Sequence, residues 1–209
     1  MKALMRLFSK SPASSMKLTQ RFTEVYEKNA WGDPESVSGW GSRKDSPSVH
    51  ASLEALAYVV ETYKVRSMVD IPCGDFNWMP GFLANHPVDY RGFDIVPALV
   101  EKNRTDNLGH SFEVLDVTSQ VPPAADLIFC KDLFNHLSLP DVAQALANMK
   151  ASGSRYLLAS NNFGHQNAEL SGEHGGETRH LDITAPPFNW TQTLWATNYL
   201  GLWDLKDVA

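Results

Sequence analysis

Apolar and polar positions change rhythm twice along the chain. In KLTQRFTEVYEKNAW, Leu18, Phe22, Val25 and Tyr26 recur at helical spacing, which predicts a short amphipathic helix. A stretch rich in Gly and Ser, GDPESVSGWGSRKDSPS, breaks that pattern. Val49, Leu53, Leu56, Val60 and Tyr63 then form the stripe of a second helix, opened near Pro47 and Ser48. From Val65 the apolar runs shorten to strand length. VRSMVDI, VDYRGFD and HSFEVLDV read as strands, with FNWMPGFLANH and VPALVEKNRTDN as helices between them. ADLIFC adds a fourth strand and SRYLLAS a fifth. Between these two lies SLPDVAQALANMK, a helix with Ser138 and Asp141 in capping-box positions and Val142, Ala145, Leu146 and Met149 on its inner face. Beyond Ser160 the chain turns loop-like, with weaker strands expected at TRHLDIT and LGLWDLKDV.

Strands that alternate with helices predict an α/β fold, a doubly wound and mostly parallel sheet, because parallel neighbours need right-handed crossovers. The expected organisation is a flexible N-terminus over 1–15 and one domain over 16–209, split into a helical cap (16–64) and an α/β core (65–209). A chain of 209 residues that is 43% hydrophobic suits one globular core. The formal charge of -6 makes nucleic acid a poor partner. Cys73 and Cys130 each follow a strand-like run, unlike a disulfide framework, so a reducing, cytoplasmic compartment is expected. The basic start, MKALMRLFSKSPASSMK, is interrupted by Arg6 and Lys10 and lacks a signal-peptide core, and no run reaches membrane-spanning length. Oligomeric state is left open.

The chemistry concentrates where strands end. In an open α/β sheet, ligands bind outside the carboxyl ends of the strands, where strand order reverses. SMVDIPCGDFNWM puts Asp70 at such an end and Gly74 in the following turn, where backbone can approach a ligand. Asp94 ends the second strand, at the offset where nucleotide-binding folds hold ribose hydroxyls. Asp116 ends the third and could accept from an adenine amino group. Any one of these is equally a cap or turn residue. Together they suit a cationic, hydroxyl-rich nucleoside better than a pyrophosphate.

On these residues the sequence resembles the class I S-adenosylmethionine-dependent methyltransferases over about Val65 to Ser160, and hence their Rossmann-like fold with N-terminal capping helices. DIPCGDFNW keeps the family's acid and glycine but has Pro72 where its first glycine is usual. PCGDFNWM, with FTEVYEKNAWGDPESVSGWGS, PPFNW and LGLWDLKD, is similar to a bacterial subgroup associated with surface-glycan or small-metabolite modification. The resemblance implies S-adenosyl-L-methionine as cofactor, S-adenosyl-L-homocysteine as product, and a small-molecule or glycan acceptor. It assigns Asp70, Pro72, Cys73, Gly74 and Trp78 to the cofactor loop. Asp94 and Ile95 fall to the ribose, Asp116 and Val117 to the adenine, and Lys131, in CKDLFNHL, to the strand end beside the transferred methyl.

Methyl transfer from a sulfonium is an in-line displacement, and a base is needed only if the acceptor loses a proton. His136 is the candidate base, the alternative being a histidine packed at a helix entrance. Asp132 is the second catalytic candidate, the alternative being a solvated turn. The polar loop SNNFGHQNAELSGEHGGETRH offers Asn161, Asn162, His165 and Arg179 for acceptor recognition. The resemblance implies that Ser38, Gly39, Gly41 and Ser42 close over cofactor or acceptor, with Trp31 and Trp40 as apolar walls, the alternative being a free loop and simple aromatic packing. His165, Glu173, His174 and His180 match no zinc spacing, so no metal is expected. A non-catalytic nucleoside-binding or interaction module with the same fold is the alternative function. The discriminator is whether the segment from Lys131 to His136 borders open space.

Overall fold

The computed structural model describes residues 12–172 and 175–208. Helix α1 (Pro12–Glu27) starts earlier than the sequence boundary at residue 16; residues 1–11 of the expected flexible terminus lie outside the described residues. Helix α2 (Pro47–Tyr63) is capped by Ser46, whose Oγ accepts from Val49 N at 3.2 Å, with Pro47 following at the first position. The cap is therefore Ser46 rather than a residue at Pro47 or Ser48. The remaining helices are α3 (Met79–Asn85), α4 (Pro97–Asp106) and α5 (Leu139–Ala151). In α5, Ser138 Oγ accepts from Asp141 N, as the capping pattern predicts.

Seven strands form one sheet: β1 (Ser67–Asp70), β2 (Asp89–Asp94), β3 (Ser111–Val114), β4 (Leu127–Cys130), β5 (Tyr156–Ser160), β6 (Thr193–Ala196) and β7 (Leu200–Asp204). Their order is β3-β2-β1-β4-β5-β7-β6. β1 to β5 are parallel, with β1 central against β2 (Asp70↔Gly92) and β4 (Asp70↔Phe129). β7 runs antiparallel to β5 and carries β6 at the edge. The sheet is mostly parallel and doubly wound. Strand order reverses between β1 and β4, which sets the ligand crevice at their carboxyl ends.

Alternation along the strands sorts the core into two faces. Val69, Ile71, Ile128, Cys130, Leu157 and Trp203 pack with Val142, Ala145, Leu146 and Met149 of α5 and Leu18 of α1. Met68, Leu127, Phe129, Leu158 and Leu202 pack with Ala55, Leu56 and Val59 of α2 and Phe82 and Leu83 of α3. Each fully buried Leu, Ile, Val or Phe contributes about 1.5–3 kcal/mol, so the central strands anchor the crevice above them.

Two expected elements are corrected. The helix expected from Phe76 begins only at Met79, and Phe76 sits at φ 56. Here tertiary bonds override local pattern: Ser36 Oγ donates to Asp75 Oδ2 (2.8 Å), Asp75 N to Ser38 Oγ (3.0 Å) and Asn77 Nδ2 to Ser42 O (3.1 Å). TRHLDIT forms no strand, because amide side chains replace the ladder. Leu181 N donates to Asn162 Oδ1 (3.0 Å), Asp182 N to Asn167 Oδ1 (2.9 Å) and Ile183 N to Asn161 Oδ1 (2.7 Å). β6, a four-residue strand at the sheet edge, was not legible in the hydrophobic pattern. Cys73 and Cys130 are buried and free, and no described helix is long and apolar enough to cross a membrane.

Candidate active site

The carboxyl ends of β1, β2 and β4 open into a cavity of about 540 Å³. Asp70 closes β1 and is buried; Tyr90 Oη donates to its Oδ2 at 2.8 Å, while its Oδ1 has no hydrogen-bond partner among the described residues. Burial pushes the Asp70 carboxyl up to about 8, against the Tyr90 hydrogen bond. An under-satisfied buried carboxyl at a cavity wall fits a cationic ligand, whose charge would favour the ionised form. Asp94, at the end of β2, accepts from Gly74 N (3.2 Å) and Val96 N (3.0 Å). Burial raises its carboxyl to about 6 despite those bonds. A carboxylate offers about four lone-pair directions, so both oxygens can still accept from ligand hydroxyls.

Gly74 has to be glycine for two reasons. Its φ is 54, and an added Cβ would lie 2.5 Å from Ser38 Oγ. Asn103 of α4 holds the turn from below, donating to Gly74 O at 2.7 Å.

The segment between α1 and α2 roofs the cavity, with Ser38, Gly39, Trp40, Gly41 and Ser42 in its lining. Trp40 keeps 59% of its surface exposed at the mouth. Lys131, at the end of β4, is buried and donates to Gly41 O (2.9 Å) and Asp132 Oδ2 (2.6 Å). Asp132 Oδ1 accepts from Tyr199 Oη at 2.7 Å. Burial works to raise the Asp132 carboxyl, but the Lys131 charge and these two hydrogen bonds outweigh it and hold it below the usual carboxylate range. The same contacts push the Tyr199 phenol up, burial first and the Asp132 charge second.

His136 ends the short turn Phe134–His136 and also lines the cavity. Its Nδ1 lies 2.8 Å from Glu177 O, and a carbonyl only accepts, so Nδ1 carries the proton and Nε2 is the basic nitrogen of the neutral ring. Burial lowers its pKa, partly offset by the Glu177 bond and the Asp132 charge. Arg21 donates to His136 O (2.5 Å), and Arg179 to Phe134 O (3.3 Å) and Asn135 O (3.2 Å). The imidazole therefore hangs from a turn whose carbonyls are clamped by two guanidinium groups. Trp31 leans on the ring at 5.3 Å and donates Nε1 to Gly176 O at 3.1 Å.

No protein-family model matches the chain, and no curated protein matches it in sequence. Solved structures do resemble it. Magnesium protoporphyrin IX methyltransferase (ChlM) from Synechocystis, with bound S-adenosylhomocysteine, aligns over 97% of this chain and 97% of its own, at 12% identity and a TM-score of 0.55. The N-methyltransferase NodS from Bradyrhizobium japonicum, in complex with S-adenosylhomocysteine, aligns over 66% and 73%, at 16% identity and 0.53. TehB from Haemophilus influenzae aligns over 78% and 64%, at 13% identity and 0.53.

The chain has the class I methyltransferase fold.

On that fold, the cavity gathers Asp70, Pro72, Cys73, Gly74, Trp78, Asp94, Ile95, Lys131, Asp132, His136, Ser38 and Trp40 from the sequence-derived candidates. Asp116 and Val117 do not line it: Asp116 Oδ1 accepts from Thr118 N (2.9 Å) and Oγ1 (2.5 Å), and Asn148 donates to Val117 O (2.7 Å). Their observed contacts shape the turn after β3. Asn161 is structural, bonded to Asp182 and Ile183. His165 packs at a tilt against His180, ring centres 4.5 Å apart, outside the cavity. Asn162 and Arg179 line a second cavity of about 320 Å³ that shares Asp132 and Tyr199 with the first. Among the described residues no group of His, Cys, Asp and Glu assembles as metal ligands, and Glu173 and His174 lie outside them. Tyr199, between a weak edge strand and LGLWDLKD, was named by no pattern; Phe22 and Tyr26 also line the cavity, as does Trp31, an expected apolar wall.

Proposed function

We propose that this protein is an S-adenosylmethionine-dependent methyltransferase acting on an oxygen of a small polar acceptor, most simply a sugar or related metabolite. One observation carries the reading: a single cavity has two buried carboxyls and a glycine turn at one end, and a clamped neutral imidazole at the other. The segment from Lys131 to His136 borders open space rather than packed apolar side chains, which favours catalysis over the interaction-module alternative.

When bound, the cofactor supplies an electrophilic methyl on a cationic sulfur. The chain's own part is binding, orientation and proton handling. Asp70 offers a carboxyl to a ligand ammonium, Asp94 accepts from ribose hydroxyls, and Gly74 lets backbone approach. Tyr199 and Lys131 fix Asp132, which can accept from an acceptor hydroxyl, and His136 Nε2 is the group able to take its proton. Trp31 and Trp40 give flat apolar walls, suited to the CH face of a sugar ring. The support for oxygen over nitrogen is the pairing of a base with hydroxyl-accepting groups. The negative net charge argues against a nucleic-acid acceptor, and the two buried free cysteines favour a reducing, cytoplasmic setting.

The test is calorimetric titration with S-adenosylmethionine and S-adenosylhomocysteine, for wild type and Asp94→Asn. Saturable binding that Asp94→Asn weakens, with circular dichroism unchanged, supports the cofactor reading and opens acceptor screening. A folded wild type that binds neither ligand overturns it.

A further inference from the structure

We propose that the acceptor carries an oxyanion, a carboxylate or phosphate, which seats in the second cavity beside Arg179; this rests on the methyltransferase reading above. Asp132, Asn135, Thr178 and Tyr199 line both cavities, so a group held in the second lies next to any acceptor oxygen placed at His136 in the first. At about 320 Å³ the second cavity exceeds the roughly 30 Å³ share of one water several-fold.

Its chemistry favours a negative guest. Arg179 gives Nε to Ala168 O (2.7 Å) and Nη1 to the Phe134 and Asn135 carbonyls, and its Nη2 has no partner among the described residues. Asn162 Oδ1 accepts from Leu181 N, which turns its NH₂ into the available end of the amide. His180 adds ring N–H capacity. Asp132 is paired with Lys131 and bonded by Tyr199. Glu169 accepts from Leu139 N and Leu170 N and Glu177 from Ser171 N and Gly172 N, but both keep their charge and act on Arg179, so a guest gains from the donor geometry more than from net charge. The Arg179 guanidinium, the Asn162 NH₂ and a His180 N–H around one polar cavity can donate to two or three acceptor oxygens on one centre. A protonated oxygen of such a group can in turn donate to Asn135 Oδ1, which has no partner among the described residues. A neutral sugar would leave the guanidinium under-used.

The experiment is titration of the S-adenosylhomocysteine-saturated protein with glucose, glucuronate and glucose 1-phosphate. At least one charged sugar should bind about tenfold more tightly than glucose, and which one does so separates carboxylate from phosphate. Asn162→Asp keeps the acceptor for Leu181 N while adding a negative charge, and should erase that advantage without changing S-adenosylhomocysteine affinity. Arg179→Gln should do the same, and the Asn162 variant covers the case where loss of the turn clamp prevents folding. Equal binding of neutral and charged sugars, no binding of either charged sugar, or an advantage that survives Asn162→Asp overturns the proposal. Failure of S-adenosylhomocysteine itself to bind overturns the underlying reading and this proposal with it, and is seen in the first titration.

Discussion

At the β1–β2 end of the cavity, Asp94 takes the Gly74 amide across 20 residues, and Tyr90 reaches Asp70 across 20. At the β4 end, Lys131 reaches Gly41 across 90 residues and Trp31 reaches Gly176 across 145. The first end rests on neighbouring strand tips, with only its Asp75–Asn77 turn tied to Ser36, Ser38 and Ser42 of the segment between α1 and α2. The second is assembled from an N-terminal segment, a turn, a long loop and a β7 flank, each held by a few side-chain bonds. On the proposed function the two ends should be damaged separately: cofactor affinity should follow the strand tips, and acceptor chemistry the long-range contacts.

The sharpest test of that separation is His136→Gln. It should lower turnover by about 10²–10⁴-fold on an acceptor found by screening, while the dissociation constant for S-adenosylhomocysteine stays within about twofold. The wild-type rate should fall as pH drops below the lowered imidazole pKa, because the base must be neutral, and that acid limb should vanish in the variant. A parallel loss of cofactor affinity breaks the comparison. Asp94→Asn is the converse: about 10²-fold weaker cofactor binding by calorimetry, from loss of charge-assisted bonds worth about 1.5–3 kcal/mol each.

Asp70 bears on stability as well as on binding. Its folded carboxyl titrates near 8, raised by burial, whereas an unfolded aspartate titrates near 3.9. Between those values the folded state holds the proton and the unfolded state has lost it, so stability falls as pH rises through the window, by up to about 1.4 kcal/mol per unit. Asp70→Asn should flatten that slope in urea titrations at pH 5 to 8, and should weaken cofactor binding at pH 8. Smallest is Tyr199→Phe, which removes one hydrogen bond to Asp132. It should raise the acceptor KM several-fold, about 1 kcal/mol, with cofactor affinity unchanged.

The same contrast explains what the sequence made legible. Five parallel strands, the α5 cap and the aspartates at β1 and β2 follow from apolar periodicity and from the rule that ligands sit at strand tips. Asp116 obeys the same pattern, yet its carboxylate bonds Thr118, since position at a strand end does not say where a side chain points. The TRHLDIT strand was expected because Leu181 and Ile183 alternate with polar residues. The pattern is real, but the partners of their amides are Asn161 and Asn162, which no local rule reveals. Tyr199 joined the site through a contact 67 residues away, and the Gly176 partner of Trp31 lies 145 away. Local periodicity carries no signal at that range.

The Trp31 to Gly176 bond also has a consequence for biosynthesis. Chains emerge from the ribosome at about 5–20 residues per second, so α1 and the aromatic residues behind it wait on the order of ten seconds for the loop that covers them. The sheet's first parallel pairs and the bonds joining Ser36, Ser38 and Ser42 to Asp75 and Asn77 can form in that interval, but the Trp31 contact cannot. In a nascent chain the Trp31 indole therefore stays without its Gly176 partner until most of the sheet has been made.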